Sequence, residues 1–398
     1  MRFQNLVVSI AVTAAMSSPL AFAADNIRVG FPMPLSGPAS VYSQPVLQGA
    51  QMAIDEINAK GGVLGRKLEL LPRDTKASPD EAVRVARELI LKDGVDFLVG
   101  SWTSAEAPAV STIAKENKMF FISPVAKTNQ LSTPANIHPY IFRTSTTTDI
   151  EGRTAAAIVS KWKVKRVATL SYDYAYGRDV TGAFVERLKK LRPDIEIVDQ
   201  QWTKFGQTDY AASVTAQMGT KPDAIFTSIA AGDFVSLAKQ AGPLGYFKAV
   251  NNRVLGAGDV GSIEVAKALG ADYPYGITAN AFDPVIWAAG EPASHKLFIR
   301  NLAAYTKENP PSSWSIVGYS AISALVAGIN KAGAADSAKV AKVFPGLTFD
   351  TPVGPRTINV KSQTANWGEF WGEMVKDPAY PFAIMKAPEY YDPAPFME

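Results

Sequence analysis

No cysteine occurs among the 398 residues. That absence excludes disulfides, thiolate metal sites, cysteine nucleophiles and any lipid carried on an N-terminal cysteine. Histidine is scarce as well. With only His138 and His295 available, a histidine-built metal cluster is not expected, and neither a metal nor a cofactor is assigned. Charge is sparse and balanced: 40 Lys and Arg against 37 Asp and Glu give a formal +3. Nucleic acid, which demands a dense basic surface, is therefore not an expected partner. No apolar run after the first residues is long enough to cross a bilayer. Walker loops and Gly-x-Ser-x-Gly elbows are also missing. What is present is ordinary globular material. Hydrophobic residues make up 47%, enough to fill real cores, and the length suits about two domains.

The N-terminus reads as an export address. Arg2 is followed by an apolar stretch from Leu6 to Met16 and by Ala21-Phe22-Ala23, a small-x-small cleavage pattern. This three-part layout marks a secretory signal over 1–23, with the mature chain starting at Ala24.

Strands and helices then alternate. IRVGFPMP, from Ile27 to Pro34, is a short β-prone run. In Gln48–Gly62, Ala50, Ala53, Ile54 and Ile57 recur at helical spacing before Gly61-Gly62 ends the pattern. Ser78-Pro79-Asp80-Glu81 supplies an N-cap, a first-turn proline and a capping-box glutamate for a helix running to about Lys92. Val95–Val99 (VDFLV) and Met119–Ile122 (MFFI) read as buried strands around a helix from Ala105 to Asn117. A second series has strands at Arg166–Ser171, Ile195–Val198, Ala224–Ser228, Val254–Gly256 and Tyr275–Thr278. The alternation predicts an α/β fold of two doubly wound parallel-sheet lobes. The first lobe is expected over 24–143 and 283–376, the second over 144–282, with 377–398 as a surface-wrapping tail.

In such sheets ligands sit beyond the carboxyl ends of the strands. The loops there carry Tyr42 after the first strand, Gly100-Ser101-Trp102-Thr103-Ser104 after VDFLV, and Ser123-Pro124-Val125-Ala126-Lys127-Thr128 after MFFI. Opposite them stand Tyr172, Tyr174, Tyr176, Ala230, Ala231 and Gly258-Asp259. A lone Ser or Thr at such a junction is also an ordinary helix cap, and a lone Tyr is also ordinary packing. As a set, hydroxyls and N–H groups on one wall with aromatics on both suit a small, partly apolar, acidic molecule held between lobes.

Several motifs recur together: Pro34-Leu35-Ser36-Gly37-Pro38, Gly49-Ala50, Ile54-Asp55-Glu56-Ile57-Asn58-Ala59-Lys60-Gly61-Gly62, Leu64-Gly65, Leu98-Val99-Gly100-Ser101, Ile122-Ser123-Pro124-Val125-Ala126, Tyr176-Gly177 and Gly318-Tyr319. In order and spacing, the chain from Ile27 to about Glu373 resembles the periplasmic solute-binding proteins of ABC importers, in the branched-chain amino-acid class. The resemblance implies two lobes joined by three crossovers (the type I arrangement), closing on a solute by hinge motion. It implies a periplasmic, monomeric carrier without enzymatic activity, whose partners are a small-molecule solute and a membrane permease. Carried over by position, the carboxylate loop falls on Trp102, Thr103 and Ser104. The second anchoring loop falls on Val125, Ala126 and Lys127, with Thr128 adjacent. The aromatics fall on Tyr42, Tyr176 and Tyr319, and Tyr174 lies beside Tyr176.

This chain also departs from the pattern. The disulfide positions of many members read Ala77 and Thr103. The acidic residue that pairs a bound ammonium aligns with Gly258, beside Asp259, and a second-lobe aromatic position reads Ala230. An ammonium without a partner would be buried at high cost. The expected ligand is therefore a carboxylate without an α-amino group, such as an aromatic acid, with an amino acid as the alternative if Asp259 takes the acidic position. Rival readings are the sensing domain of a receptor and a secreted hydrolase. For the latter, His138 is placed in a turn and His295 on an exposed helix face, neither with an evident Ser and Asp pairing.

Overall fold

The computed structural model describes residues 25–287 and 290–397; the signal segment assigned to 1–23 and the start at Ala24 lie outside them. Five parallel strands form one sheet: β1 (Ile27–Met33), β2 (Leu68–Asp74), β3 (Phe97–Val99), β4 (Phe121–Ser123) and β5 (Ile141–Arg143), in the order β2-β1-β3-β4-β5. Helices α1 (Ser40–Ala59), α2 (Pro79–Arg87) and α3 (Glu106–Glu116) connect the first four. The strands read as unbroken apolar runs because both faces are covered. Leu98, Phe121 and Ile141 pack with Val85, Leu89 and Val110, while Phe97, Val99, Ile122 and Phe142 belong to the opposite layer. Ser78 Oγ accepts from the Glu81 amide at 3.5 Å, as its capping role predicts. The helix that follows widens into a π turn over Glu88–Lys92.

The second series is α4 (Thr148–Val159), β6 (Arg166–Tyr172), α5 (Ala175–Leu191), β7 (Glu196–Thr203), α6 (Ala211–Gly219), β8 (Ala224–Thr227), α7 (Ala231–Ala241), α8 (Tyr246–Ala249), β9 (Val254–Gly256), α9 (Ile263–Leu269) and β10 (Thr278–Ala281). Its parallel strands run β7-β6-β8-β9-β10, the same winding as β2-β1-β3-β4-β5. Each sheet reverses direction once, between β1 and β3 and between β6 and β8, and the crevice for a ligand opens at such a reversal. The last expected strand, Tyr275–Thr278, begins instead at Thr278.

The chain returns to the first sheet through α10 (Ala293–Thr306), α11 (Ser315–Ala332), α12 (Ser337–Val343) and the short pair β11 (Thr348–Phe349) and β12 (Arg356–Thr357). Phe344 packs on Phe120 and Phe142, which seats this segment on the first lobe. α1 and α11 cross so closely that a Cβ on Gly49 would lie 1.8 Å from the Ser315 carbonyl oxygen, and one on Gly318 1.9 Å from that of Val46. The two glycines of the recurring motifs are what allow this crossing.

Beyond this point the structure departs from expectation. β13 (Glu369–Val375) pairs antiparallel with β10, and β14 (Ile384–Tyr391) pairs antiparallel with β13. Residues 369–375 thus join the second sheet rather than the first lobe. The segment expected to wrap the surface supplies that sheet's edge strand. Pro388 argues against a strand in sequence, but an edge strand tolerates proline. The chain therefore passes between the sheets three times, after β5, after β10 and after β12. Among the described residues no helix is long and apolar enough to cross a membrane.

Candidate functional site

The carboxyl ends of both sheets face each other across a cavity of about 410 Å³ of atom-free space, its mouth included. Its lining comes from both lobes, with Tyr42, Trp102, Ser104, Val125, Lys127 and Trp314 on one side and Tyr172, Tyr174, Tyr176, Ala230, Gly258 and Asp259 on the other. The loops after β1 and β3 and those after β6 and β8 thus meet where the winding places them.

On the first wall, Tyr42 sits in the opening turn of α1 and stacks on Trp314, with ring centroids 4.3 Å apart and planes 13° from parallel. Its hydroxyl oxygen accepts from the Ala231 amide at 3.1 Å and its O–H donates to the Asp259 carbonyl at 3.2 Å. Both partners belong to the second lobe, so Tyr42 pins the lobes together. Burial, foremost, pushes its phenol well above the ordinary value. Trp102 leans between Tyr42 and Phe205, and its indole N–H is buried without a partner. Ser104 is buried and lines the cavity. Thr103, also buried, is used differently. Its amide donates to Glu106 Oε2 at 2.9 Å and its Oγ1 accepts from the Glu106 amide at 3.0 Å. This reciprocal capping box sets the start of α3 and presents Ser104, and Thr103 is not among the lining residues.

Of the second anchoring loop, Val125 and Lys127 reach the cavity. Ala126 turns into the first lobe's own core with Leu131 and Ile141. Thr128 Oγ1 donates to Asp179 Oδ2 on α5 at 2.9 Å, a further bond between lobes. Arg143, fully buried, donates from Nη1 to the carbonyls of Lys127 and Thr128 and fixes this loop's backbone. Tyr319 lies elsewhere. Its hydroxyl donates to Glu56 Oε2 at 2.7 Å in a surface groove with Phe298 and Asp350. The aromatic that faces the cavity is instead Trp314, at the N-cap of α11, which was not among the expected site residues.

The second wall is a band of phenols backed by carboxylates. Tyr172 donates to Asp233 Oδ2 at 2.9 Å. Tyr176 donates to Glu151 Oε1 at 3.2 Å. Tyr174 has its phenol pushed above its ordinary value, chiefly by burial. Gly258 has φ +75°, and a Cβ there would meet Ala230 Cβ at 2.8 Å, so glycine lets this loop close against the wall.

An acidic cluster, of which the sequence pointed only to Asp259, lies behind these rings. Lys127 Nζ, from the first lobe, stands 3.2 Å from Glu151 Oε1, 3.2 Å from Asp259 Oδ2 and 2.5 Å from Glu369 Oε1. Glu151 Oε1 also accepts from the Gly258 amide at 3.0 Å and from Asn280 Nδ2 at 2.9 Å. Burial raises the Glu369 carboxyl to about 8 and that of Asp259 to about 6, their acidic neighbours adding to the rise and Lys127 opposing it. Burial works against the Lys127 charge, but the attraction of Asp259, Glu151 and Glu369 outweighs it and holds the ammonium well above its usual value. Gly258, expected at the acidic position, lines the cavity and has no side chain to fill that role. The acids enter instead from the first turn of α4, from Asp259 and from the start of β13. No local motif announces Glu151 or Glu369.

The histidines are both buried. His138 Nδ1 accepts from the Tyr140 amide at 3.3 Å, which leaves the proton on Nε2, 2.8 Å from Ser111 Oγ. A protonated Nε2 cannot take the proton of Ser111. His295, expected exposed, pairs instead with Asp283 at 2.9 Å and Glu291 at 2.6 Å. Neither histidine forms a nucleophile–base–acid chain.

The description "periplasmic binding protein" matches residues 26–368. A Leu/Ile/Val-binding protein of Rhizobium johnstonii is 32% identical over 353 residues, covering 87% of this chain and 92% of its own length. A leucine-, isoleucine-, valine-, threonine- and alanine-binding protein of Pseudomonas aeruginosa is 27% identical, covering 92% of this chain and 94% of its own. Among solved structures, an ABC-transporter solute-binding protein of Rhodopseudomonas palustris in complex with 3,4-dihydroxybenzoic acid superposes with TM-score 0.80 at 27% identity, covering 93% of this chain and 99% of that one. LivJ of Streptococcus pneumoniae in complex with isoleucine gives TM-score 0.80 at 22% identity, covering 92% and 99%.

Proposed function

Because this chain belongs to the periplasmic binding protein family, we propose that it is the solute-binding component of an ABC importer and captures a small aromatic carboxylate between its lobes. It acts in the periplasm, as a monomer, and hands the solute to a membrane permease. It is a carrier rather than an enzyme. The observation that carries the ligand class is the lining. Tyr42, Trp102, Trp314, Tyr172, Tyr174 and Tyr176 surround one cavity, and flat apolar walls of this kind suit a ring. Ser104, lining the cavity at the entry to α3, and the free indole N–H of Trp102 are hydrogen-bond donors, and a carboxylate is an acceptor with two oxygens. Tyr42, Lys127 and Thr128 bind across the lobes, so contacts exist in the closed form that an opened cleft would lose. A solute that adds its own contacts to both walls shifts the population toward closure.

A thermal-shift screen tests this, since a ligand of the native state raises the melting temperature by mass action. 3,4-Dihydroxybenzoate and 4-hydroxybenzoate are expected to raise it, and leucine, isoleucine and valine to leave it unchanged. A rise with the branched amino acids alone would reject the aromatic reading and leave the carrier reading in place.

A further inference from the structure

We propose that Lys127 serves as the site's built-in ammonium, filling from within the chain the place a solute's α-ammonium would occupy and so restricting the cavity to carboxylates without one. The three acidic oxygens come from α4, the loop after β9 and the start of β13, all on the second lobe, and lie within 4.8 Å of one another. Such a trio is a receptor for one cation. The cation it holds belongs to the first lobe and is buried, its Nζ 4.6 Å from the centre of the Phe282 ring.

Stoichiometry sharpens the point. An ammonium has three N–H donors, and three carboxylates stand within hydrogen-bond distance of Nζ. Lys127 therefore has no donor left for a solute's carboxylate, although its position in the anchoring loop suggests that task. The solute's anionic end must be held at the other end of the cavity, beside Ser104 and Trp102. A second ammonium brought to the acidic end would face the Lys127 charge at close range in a poorly screened interior. A neutral donor meets no such repulsion. Asp259 Oδ1 is buried without a partner, and a solute hydroxyl can pair with it.

This inference rests on the capture of a carboxylate between the lobes, and its test separates the two ideas. The probes are pairs that differ only in the amino group: tyrosine with 3-(4-hydroxyphenyl)propionate, and leucine with 4-methylpentanoate. Calorimetry on the wild-type protein is expected to favour the deaminated member of any pair it binds by roughly tenfold or more. In Lys127→Met the trio is vacant, and the preference is expected to invert toward the amino acid. If Lys127→Met does not fold, Lys127→Met with Glu369→Gln relieves the vacated trio of one carboxyl group and carries the same comparison. Wild-type binding of an amino acid as tightly as its deaminated partner, or a folded Lys127 variant with unchanged preference, overturns the proposal. Wild-type indifference to every probe, together with a Lys127 variant that gains an amino acid, upholds the role of Lys127 and rejects the aromatic-acid reading.

Discussion

The two walls of the cleft are built from the same winding of strands and carry opposite chemistry. The first-lobe wall offers a stacked aromatic pair, a serine hydroxyl, a free indole N–H and one ammonium. The second-lobe wall offers three phenols in front of three carboxylates. In the first wall every side chain except those of Tyr42 and Trp314, at the starts of α1 and α11, sits in a loop directly after a strand. In the second, the tyrosines run from the last residue of β6 into the first turn of α5, whereas the acids arrive from a helix start, a different strand loop and a strand that crosses back from the other lobe. Lys127 joins positive charge on the first wall to negative charge on the second, so this link is a long-range property of the fold rather than of any one loop.

The largest expected break in this arrangement is Lys127→Met. Removing one partner of a buried ionic cluster costs about 3 to 5 kcal/mol. A urea titration should show that loss at pH 8 and a smaller one at pH 5, where Asp259 and Glu369 hold protons. Equal loss at both pH values would mean that charge is not what joins the walls. Tyr42→Phe should come next. It keeps the stack on Trp314 but strands the buried Ala231 amide, for about 1 to 3 kcal/mol, read as a lower melting temperature. Ser104→Ala should leave stability alone and weaken carboxylate binding by about 1 to 3 kcal/mol if its hydroxyl holds the anion. Unchanged affinity by calorimetry would remove Ser104 from the site.

Glu369 gives the pH signature of the second wall. Its folded-state value of about 8 lies above the ordinary carboxyl value near 4.5, so the folded chain keeps a proton that the unfolded chain releases. Stability from this group is full below about 4.5 and declines as pH rises through about 8. Glu369→Gln should flatten that decline between pH 5 and pH 8. A slope as steep as the wild type's would place the titrating group elsewhere. The smallest effect is expected from Tyr319→Phe, which loses only a hydroxyl bond to Glu56 in a surface groove, with a change in solute affinity within about 0.5 kcal/mol.

Most of the frame was legible in the residues. The runs IRVGFPMP, VDFLV and MFFI are strands because both faces of their sheet are covered, and the segments after them (for Tyr42 the first turn of α1) hold Tyr42, Trp102, Ser104, Val125 and Lys127 at the cavity. Tyr174 and Tyr176 were legible for the same reason. Thr103, Ala126 and Thr128 stand in the right loops but serve a cap, a core and a bond to α5, since a loop position fixes where a residue is and not where its side chain points. Tyr319 lies in a surface groove instead of the cavity. Glu151 and Glu369 could not be found locally, because only the pairing of β13 with β10 and the packing of α4 on α5 bring them to Lys127. The edge strand β14 was hidden by Pro388.

The most direct measurement is a calorimetric titration of the wild-type protein with 3,4-dihydroxybenzoate and, in parallel, with leucine. Saturable one-to-one binding of the aromatic acid, with no heat from leucine, is the predicted result. Saturation by leucine with no response to the aromatic acid would contradict the account.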